Sequence, residues 1–119
     1  MKQYFVYILK CSDQSYYTGV TNNLENRFSE HSNGLNKKAY TYNRRPLQLV
    51  YYNDFKDINQ AITFEKQVKG WKRNKKEALI TGDWVELVRL SNHNKEELSV
   101  LRQAQDDNSR QAQDDNSAK

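Results

Sequence analysis

Two aromatic, β-branched segments divided by a polar turn open this chain, and they limit what it can fold into. Residues 4–10 and 15–20 each read as a strand, and Ser12-Asp13-Gln14 between them is turn chemistry. A β-hairpin is therefore predicted at the start of the chain, with an antiparallel sheet around it. Side chains alternate along a strand, so Phe5, Tyr7 and Leu9 share a face, as do Tyr17 and Gly19. Loop parity decides whether these two sets meet. An odd loop puts Tyr7 and Tyr17 on one face, and an even loop separates them. Gly19 would let a backbone or substrate come close above the sheet. Tyrosine is also a favoured strand residue, so both phenols have a purely structural reading as well.

Downstream, Asn22-Asn23 offers N-caps for a helix over 24–32, which Asn33-Gly34 terminates. Residues 35–45 are polar and basic without a period, and read as a surface loop. Pro46 introduces a third strand over 47–53, with Leu47, Leu49 and Tyr51 alternating. From Asp57 the period becomes helical, with Ile58, Ala61, Ile62, Val68 and Trp71 on one arc. A break is predicted near 72–74, then a second helix through Ala78-Leu79-Ile80. Gly82-Asp83 leads into an amphipathic segment holding Trp84, Leu87, Val88 and Leu90. This order predicts an α+β fold, a small three-stranded antiparallel sheet flanked by helices.

The chain has 119 residues and is 36% hydrophobic, enough for one modest core. Residues 1–90 are expected to form that domain, with 91–101 as a helical extension. Residues 102–109 read RQAQDDNS, and 110–117 repeat the same octet. No aromatic or large aliphatic residue follows Leu101, so 102–119 is expected to be a disordered tail. A tail that recruits protein partners is one reading of that repeat. No apolar run approaches the roughly 20 residues of a membrane span. The apolar stretch 5–9 is too short for a secretory signal. A single cysteine, Cys11, excludes an intramolecular disulfide framework and suits a reducing cytoplasm. Zinc-type spacing, a glycine-rich phosphate loop and a nucleophilic serine motif are all missing. His93 lies in a polar stretch and is expected to face solvent.

Net charge is +4, and the tail carries −1 of it, which leaves +5 on residues 1–101. Lys66, Lys69, Lys72, Arg73, Lys75 and Lys76 cluster closely, and Lys38, Arg44 and Arg45 lie in the loop. Such clusters attract polyanions and point to nucleic acid, although a basic run also forms solvated helix faces. On the 24–32 helix, Leu24, Arg27, Phe28 and His31 form one stripe. With Leu24 and Phe28 facing the core, Arg27 and His31 border it. A guanidinium there calls for an anion, either a phosphate or an acidic neighbour such as Glu30 or Asp54. Glu65 falls inside the apolar arc of its helix and needs a partner, a proton or a metal. Lys69 at i+4 is one candidate partner, and Mg²⁺ held with phosphate oxygens and water is the other.

Tyr7 in Phe-Val-Tyr, Tyr17 in Tyr-Thr-Gly, Arg27, His31 and Glu65, in this order, resemble the GIY-YIG endonuclease superfamily, and within it the small standalone bacterial members. Arg44-Arg45-Pro46, Leu49-Val50-Tyr51-Tyr52, the run from Glu65 to Trp71, and Trp84-Val85-Glu86-Leu87 extend the likeness over about residues 3–90. Phe5 and Val6 stand where the family name has Gly and Ile, and Thr18 replaces the second Ile. Both tyrosines are kept.

The resemblance implies metal-dependent hydrolysis of DNA phosphodiester bonds, in a structure-selective or repair-related setting, with RNA open as a second polymer. It implies that Tyr7 acts as general base or positions the water and that Tyr17 bonds near the attacked phosphate. By the same token Arg27 would bind phosphate oxygens, and Glu65 would hold Mg²⁺ or another divalent cation such as Mn²⁺. His31 would give or take a proton. Lys38, Arg44, Arg45, Lys69, Lys72, Arg73, Lys75 and Lys76 are the expected nucleic-acid contacts. A module that keeps the fold and binds without cutting is the alternative.

Overall fold

A computed structural model describes residues 3–91. Strand β1 (Tyr4–Lys10) lies between β2 (Tyr16–Thr21) and β3 (Gln48–Phe55), antiparallel to both. Four helices accompany this sheet among the described residues: α1 (Leu24–Ser32), α2 (Ile58–Lys69), α3 (Arg73–Thr81) and α4 (Trp84–Ser91). The expected helical extension beyond Ser91, His93 and the repeat tail lie outside the described residues.

The hairpin loop, residues 11–15, is odd, and its own polar groups hold it. Cys11 N donates to Ser15 O at 2.8 Å, and Gln14 N donates to Cys11 O at 2.9 Å. Asp13 Oδ1 accepts from Ser15 N at 3.0 Å, an Asx turn that pins the return of the chain. The resulting register sets Tyr7 opposite Gly19 and Leu9 opposite Tyr17. Directly opposed residues share a face, so the two phenols do too.

The sheet divides two environments. Val6 and Ile8, with Tyr51 and Phe55, form the core with Ala61, Phe64 and Val68 of α2, Ala78 and Leu79 of α3, and Leu87 of α4. Phe64 packs on Phe55 at 5.5 Å between ring centroids and edge-on to Trp71 at 6.3 Å. Burying one such ring stabilises the fold by roughly 1.5–3 kcal/mol. Tyr7, Tyr17 and Gly19 look the other way, toward α1 and the segment before β3. Asn23 caps α1 by accepting from Asn26 N at 3.0 Å. Gly82, at φ +76°, ends α3 in the left-handed conformation.

Three local expectations shift. Alternation in the third strand would keep Leu49 with Tyr51, but a bulge between Ile8 and Leu9 puts Leu49 opposite Leu9 and Tyr51 opposite Ile8. The extra residue in β3 exchanges faces at that point. Along α2 the buried stripe is Ala61, Phe64, Glu65 and Val68, while Ile58 at the helix start is exposed. No residue of α1 is fully buried, and Leu24 and Phe28 are half-buried. Opposite α1 lies a face of phenol rings beside an open cleft, so its apolar side chains share their surface with water.

Candidate active site

Tyr7 is fully buried at the centre of the second sheet face. A Cβ built on Gly19 would lie 2.6 Å from Tyr7 Cζ, inside any tolerable contact. Glycine at position 19 is therefore what allows the phenol to lie flat across β2. The ring centroids of Tyr7 and Tyr17 are 6.4 Å apart, and those of Tyr17 and His31 are 5.1 Å apart.

His31 reaches this group from the last turn of α1. Its Nε2 lies 3.2 Å from Tyr7 Oη, and its Nδ1 lies 2.8 Å from Thr41 Oγ1. Arg27, one turn earlier on α1, brings its positive charge near the Tyr7 phenol. A neutral imidazole with its hydrogen on Nδ1 accepts the phenol hydrogen at Nε2. In that tautomer Nδ1 donates to Thr41 Oγ1. Burial, and next to it the Arg27 charge, hold His31 below its usual range, so the ring is neutral at pH 7.

Tyr7 itself is pushed up to about 12. Burial is the main cause, Tyr17 adds to it, and Arg27 offsets only part. At pH 7 about one phenol in 10⁵ is ionised. A free phenolate is therefore no base to rely on here, whereas a phenol passing its proton to neutral His31 is.

Glu65 comes from α2, which packs against β1 and against β2, the edge strand that carries Tyr17. Its side chain is 9% exposed and pairs with Lys69 Nζ at 2.5 Å. The Glu65 charge acts on Tyr7 and the Tyr17 phenol acts on Lys69, which places the pair within electrostatic reach of the phenols. No group of three or more His, Cys, Asp or Glu side chains is arranged for a metal among the described residues. One hard, fixed carboxylate nevertheless fits a divalent ion completed by phosphate oxygens and water.

An open cleft of about 510 Å³ leads away from the phenols. Arg27, Glu30, His31, Tyr17 and Tyr40 are among its walls. Arg27 also pairs with Glu30 at 3.3 Å, the acidic neighbour the spacing offers, so its guanidinium is tied but solvent-facing. Tyr40 stacks on Tyr17 at 6.1 Å and 22°, with the Arg44 guanidinium 3.8 Å over its ring. Thr41 and Tyr40 are the site residues that sequence reasoning misses. Thr41 is 1% exposed, yet in a polar stretch without period nothing marks it as buried.

The basic residues divide. Lys38 and Lys72 are exposed. Arg44 bonds Asp13 at 3.0 Å, and Arg45 donates to Tyr42 O at 2.9 Å, so both brace the loop. Arg73 pairs with Glu77 at 3.1 Å and donates to Gln14 O at 2.6 Å. Lys76 is half-buried, and burial, followed by Arg73, lowers its pKa. Lys75 departs from the expected basic surface. It is 9% exposed, its ammonium lies 4.4 Å over the Trp71 ring, and burial lowers its pKa.

A family model described as the GIY-YIG catalytic domain matches residues 3–78. A UPF0213 protein of Clostridium perfringens is 44% identical over 92 residues, 77% of this chain and 95% of that one. A UPF0213 protein of the archaeon Haloquadratum walsbyi is 42% identical over 76 residues, 64% of this chain and 84% of that one. A solution NMR structure of a protein from E. faecalis is 29% identical, with a TM-score of 0.52 over 71% of this chain and 90% of that one. No helix among the described residues is long and apolar enough to cross a membrane.

Proposed function

This chain belongs to the GIY-YIG family, a nuclease superfamily, and from that premise we propose that it is a metal-dependent endonuclease hydrolysing DNA phosphodiester bonds in the cytoplasm. One observation carries the reading: Tyr17, Arg27 and His31 line one open cleft, and the buried Tyr7 phenol lies 3.2 Å from His31 Nε2 behind that wall.

The residues divide the work. A substrate phosphate entering the cleft meets the exposed guanidinium of Arg27, which suits a phosphodiester's oxygens. The Tyr17 hydroxyl donates a hydrogen bond to the same phosphate. Tyr7 is closed off from solvent in the free protein, so substrate entry must open its oxygen to the attacking water, which it then orients. As the water loses a proton to that oxygen, the phenol hydrogen passes to His31 Nε2, and the imidazolium is held through Nδ1–H by Thr41. No phenolate builds up, which avoids the cost that burial sets on it. Glu65 would hold Mg²⁺ or Mn²⁺, and the ion would neutralise the charge that develops on the phosphate and on the leaving alkoxide as its P–O bond breaks.

Binding without cleavage would not need a phenol, an imidazole and a threonine in one hydrogen-bonded line, which is why the enzyme reading is preferred. The test incubates linear, flapped, branched and single-stranded DNA with Mg²⁺ or EDTA, beside Tyr7→Phe and Glu65→Ala. Metal-dependent nicking that both variants lose is the expected result. Salt-sensitive binding with no nicking on any substrate would instead favour the non-catalytic module.

A further inference from the structure

Lys69 already gives Glu65 a cation. Its ammonium is 2.5 Å from Glu65 Oε2, one helical turn further along α2. The two partners are held very differently. Glu65 is set among Ala61, Phe64 and Val68, all fully buried, whereas the Lys69 side chain is 53% exposed. The carboxylate is fixed, and the ammonium reaches it from solvent on a flexible stem. A carboxylate so buried is costly without a cation, and Lys69 supplies one.

We propose that Lys69 is a positioning residue that exchanges partners, closing Glu65 to divalent cations in the free protein and moving to the phosphate when nucleic acid enters. The proposal rests on the reading of Glu65 as the metal ligand. Charge favours the exchange only when nucleic acid is present. In the free protein, a metal at Glu65 would send the ammonium into water and forfeit a hydrogen bond to a charged acceptor. With a phosphate at the Tyr17 end of the cleft, within electrostatic reach of Lys69, the displaced ammonium finds a second anion, and the carboxylate keeps a cation. Metal and nucleic acid therefore bind cooperatively, each raising the affinity of the other by the same factor. The free protein stays largely unloaded, and metal enters once substrate is in place.

The test counts bound Mn²⁺ from the loss of the free-ion electron paramagnetic resonance signal, using the full chain. Wild type, Lys69→Met, Lys69→Arg and Glu65→Gln are compared alone and with a cleavage-resistant phosphorothioate oligonucleotide. The oligonucleotide's own Mn²⁺ binding is measured separately and subtracted. Wild type should bind Mn²⁺ about fivefold more tightly with the oligonucleotide than without it. Lys69→Met should bind it about fivefold more tightly than wild type in the absence of oligonucleotide and lose most of that coupling. Lys69→Arg keeps a cation and should retain the wild-type pattern. Lys69→Gln, which keeps a donor without the charge, carries the test if Lys69→Met does not melt cooperatively. Equal Mn²⁺ affinity in wild type and the neutral variants, with Glu65→Gln binding none, overturns the exchange alone. Undiminished Mn²⁺ binding by Glu65→Gln overturns the metal assignment, and the exchange with it.

Discussion

Tyr7 Oη lies 3.2 Å from His31 Nε2, joining the centre of the sheet to the last turn of α1. In the proposed mechanism this link makes a phenol that burial pushes up to about 12 one step of a proton path. It also makes the site's behaviour depend on the imidazole.

His31 must be neutral to accept that proton, and burial and Arg27 set its pKa below the usual 6.5. Cleavage should therefore be on a plateau at pH 7 and fall as pH drops through a midpoint below 6.5. A pH–rate profile of kcat/KM locates that limb, and a midpoint above 6.5 would contradict the assignment. His31→Ala should remove the limb and cost about 10²–10⁴ in rate. The sign for stability agrees: the unfolded chain binds the proton more readily, so acidification through this range also weakens the fold.

Thr41→Val keeps the shape but takes away the acceptor of His31 Nδ1–H. Loss of one hydrogen bond should slow cleavage by up to about tenfold. DNA affinity, measured by fluorescence anisotropy, should be unchanged, because Thr41 is buried behind the imidazole.

Gly19→Ala puts a methyl group into the Tyr7 ring. Overpacking of this kind costs about 1–3 kcal/mol, visible in a thermal melt. Cleavage should fall further than the melt alone explains, because the displaced phenol loses its line to His31. A variant as stable and as active as wild type would show that the ring has room to move.

Glu65→Ala should abolish Mg²⁺-dependent cleavage and leave DNA binding largely intact. Wild-type cleavage rates from that variant would sink the role given to this carboxylate.

Lys72 and Lys75 separate contact from packing. Lys72 is exposed, so Lys72→Ala should reduce the slope of log affinity against log salt by about 1. Lys75 lies over the Trp71 ring, so Lys75→Ala should leave that slope alone and lower the melting temperature.

The elements themselves are legible locally. Strand β1 and helix α1 have the predicted bounds, because alternation, asparagine capping and the Asn33-Gly34 stop all act within a few residues. The face of Leu49 was not legible, since a bulge depends on how two strands twist against each other. Thr41 was not legible either: its hydrogen-bond partner lies on a helix ten residues earlier, and no local pattern encodes that.

By itself, the sequence determined the hairpin, the helical stripes and the presence of two phenols, a guanidinium, an imidazole and a carboxylate in a set order. Only the tertiary structure decided their meeting. The five-residue turn at 11–15 chose the face, Gly19 made room for the Tyr7 ring, and α1 brought an imidazole whose protonation burial controls. It also decided that Lys69 holds Glu65 while Lys75 serves Trp71, two basic residues six positions apart that the sequence presents alike. The physical reason is that charge and burial are properties of surroundings. Neighbours distant in the chain set them, and only the closed fold makes those neighbours adjacent.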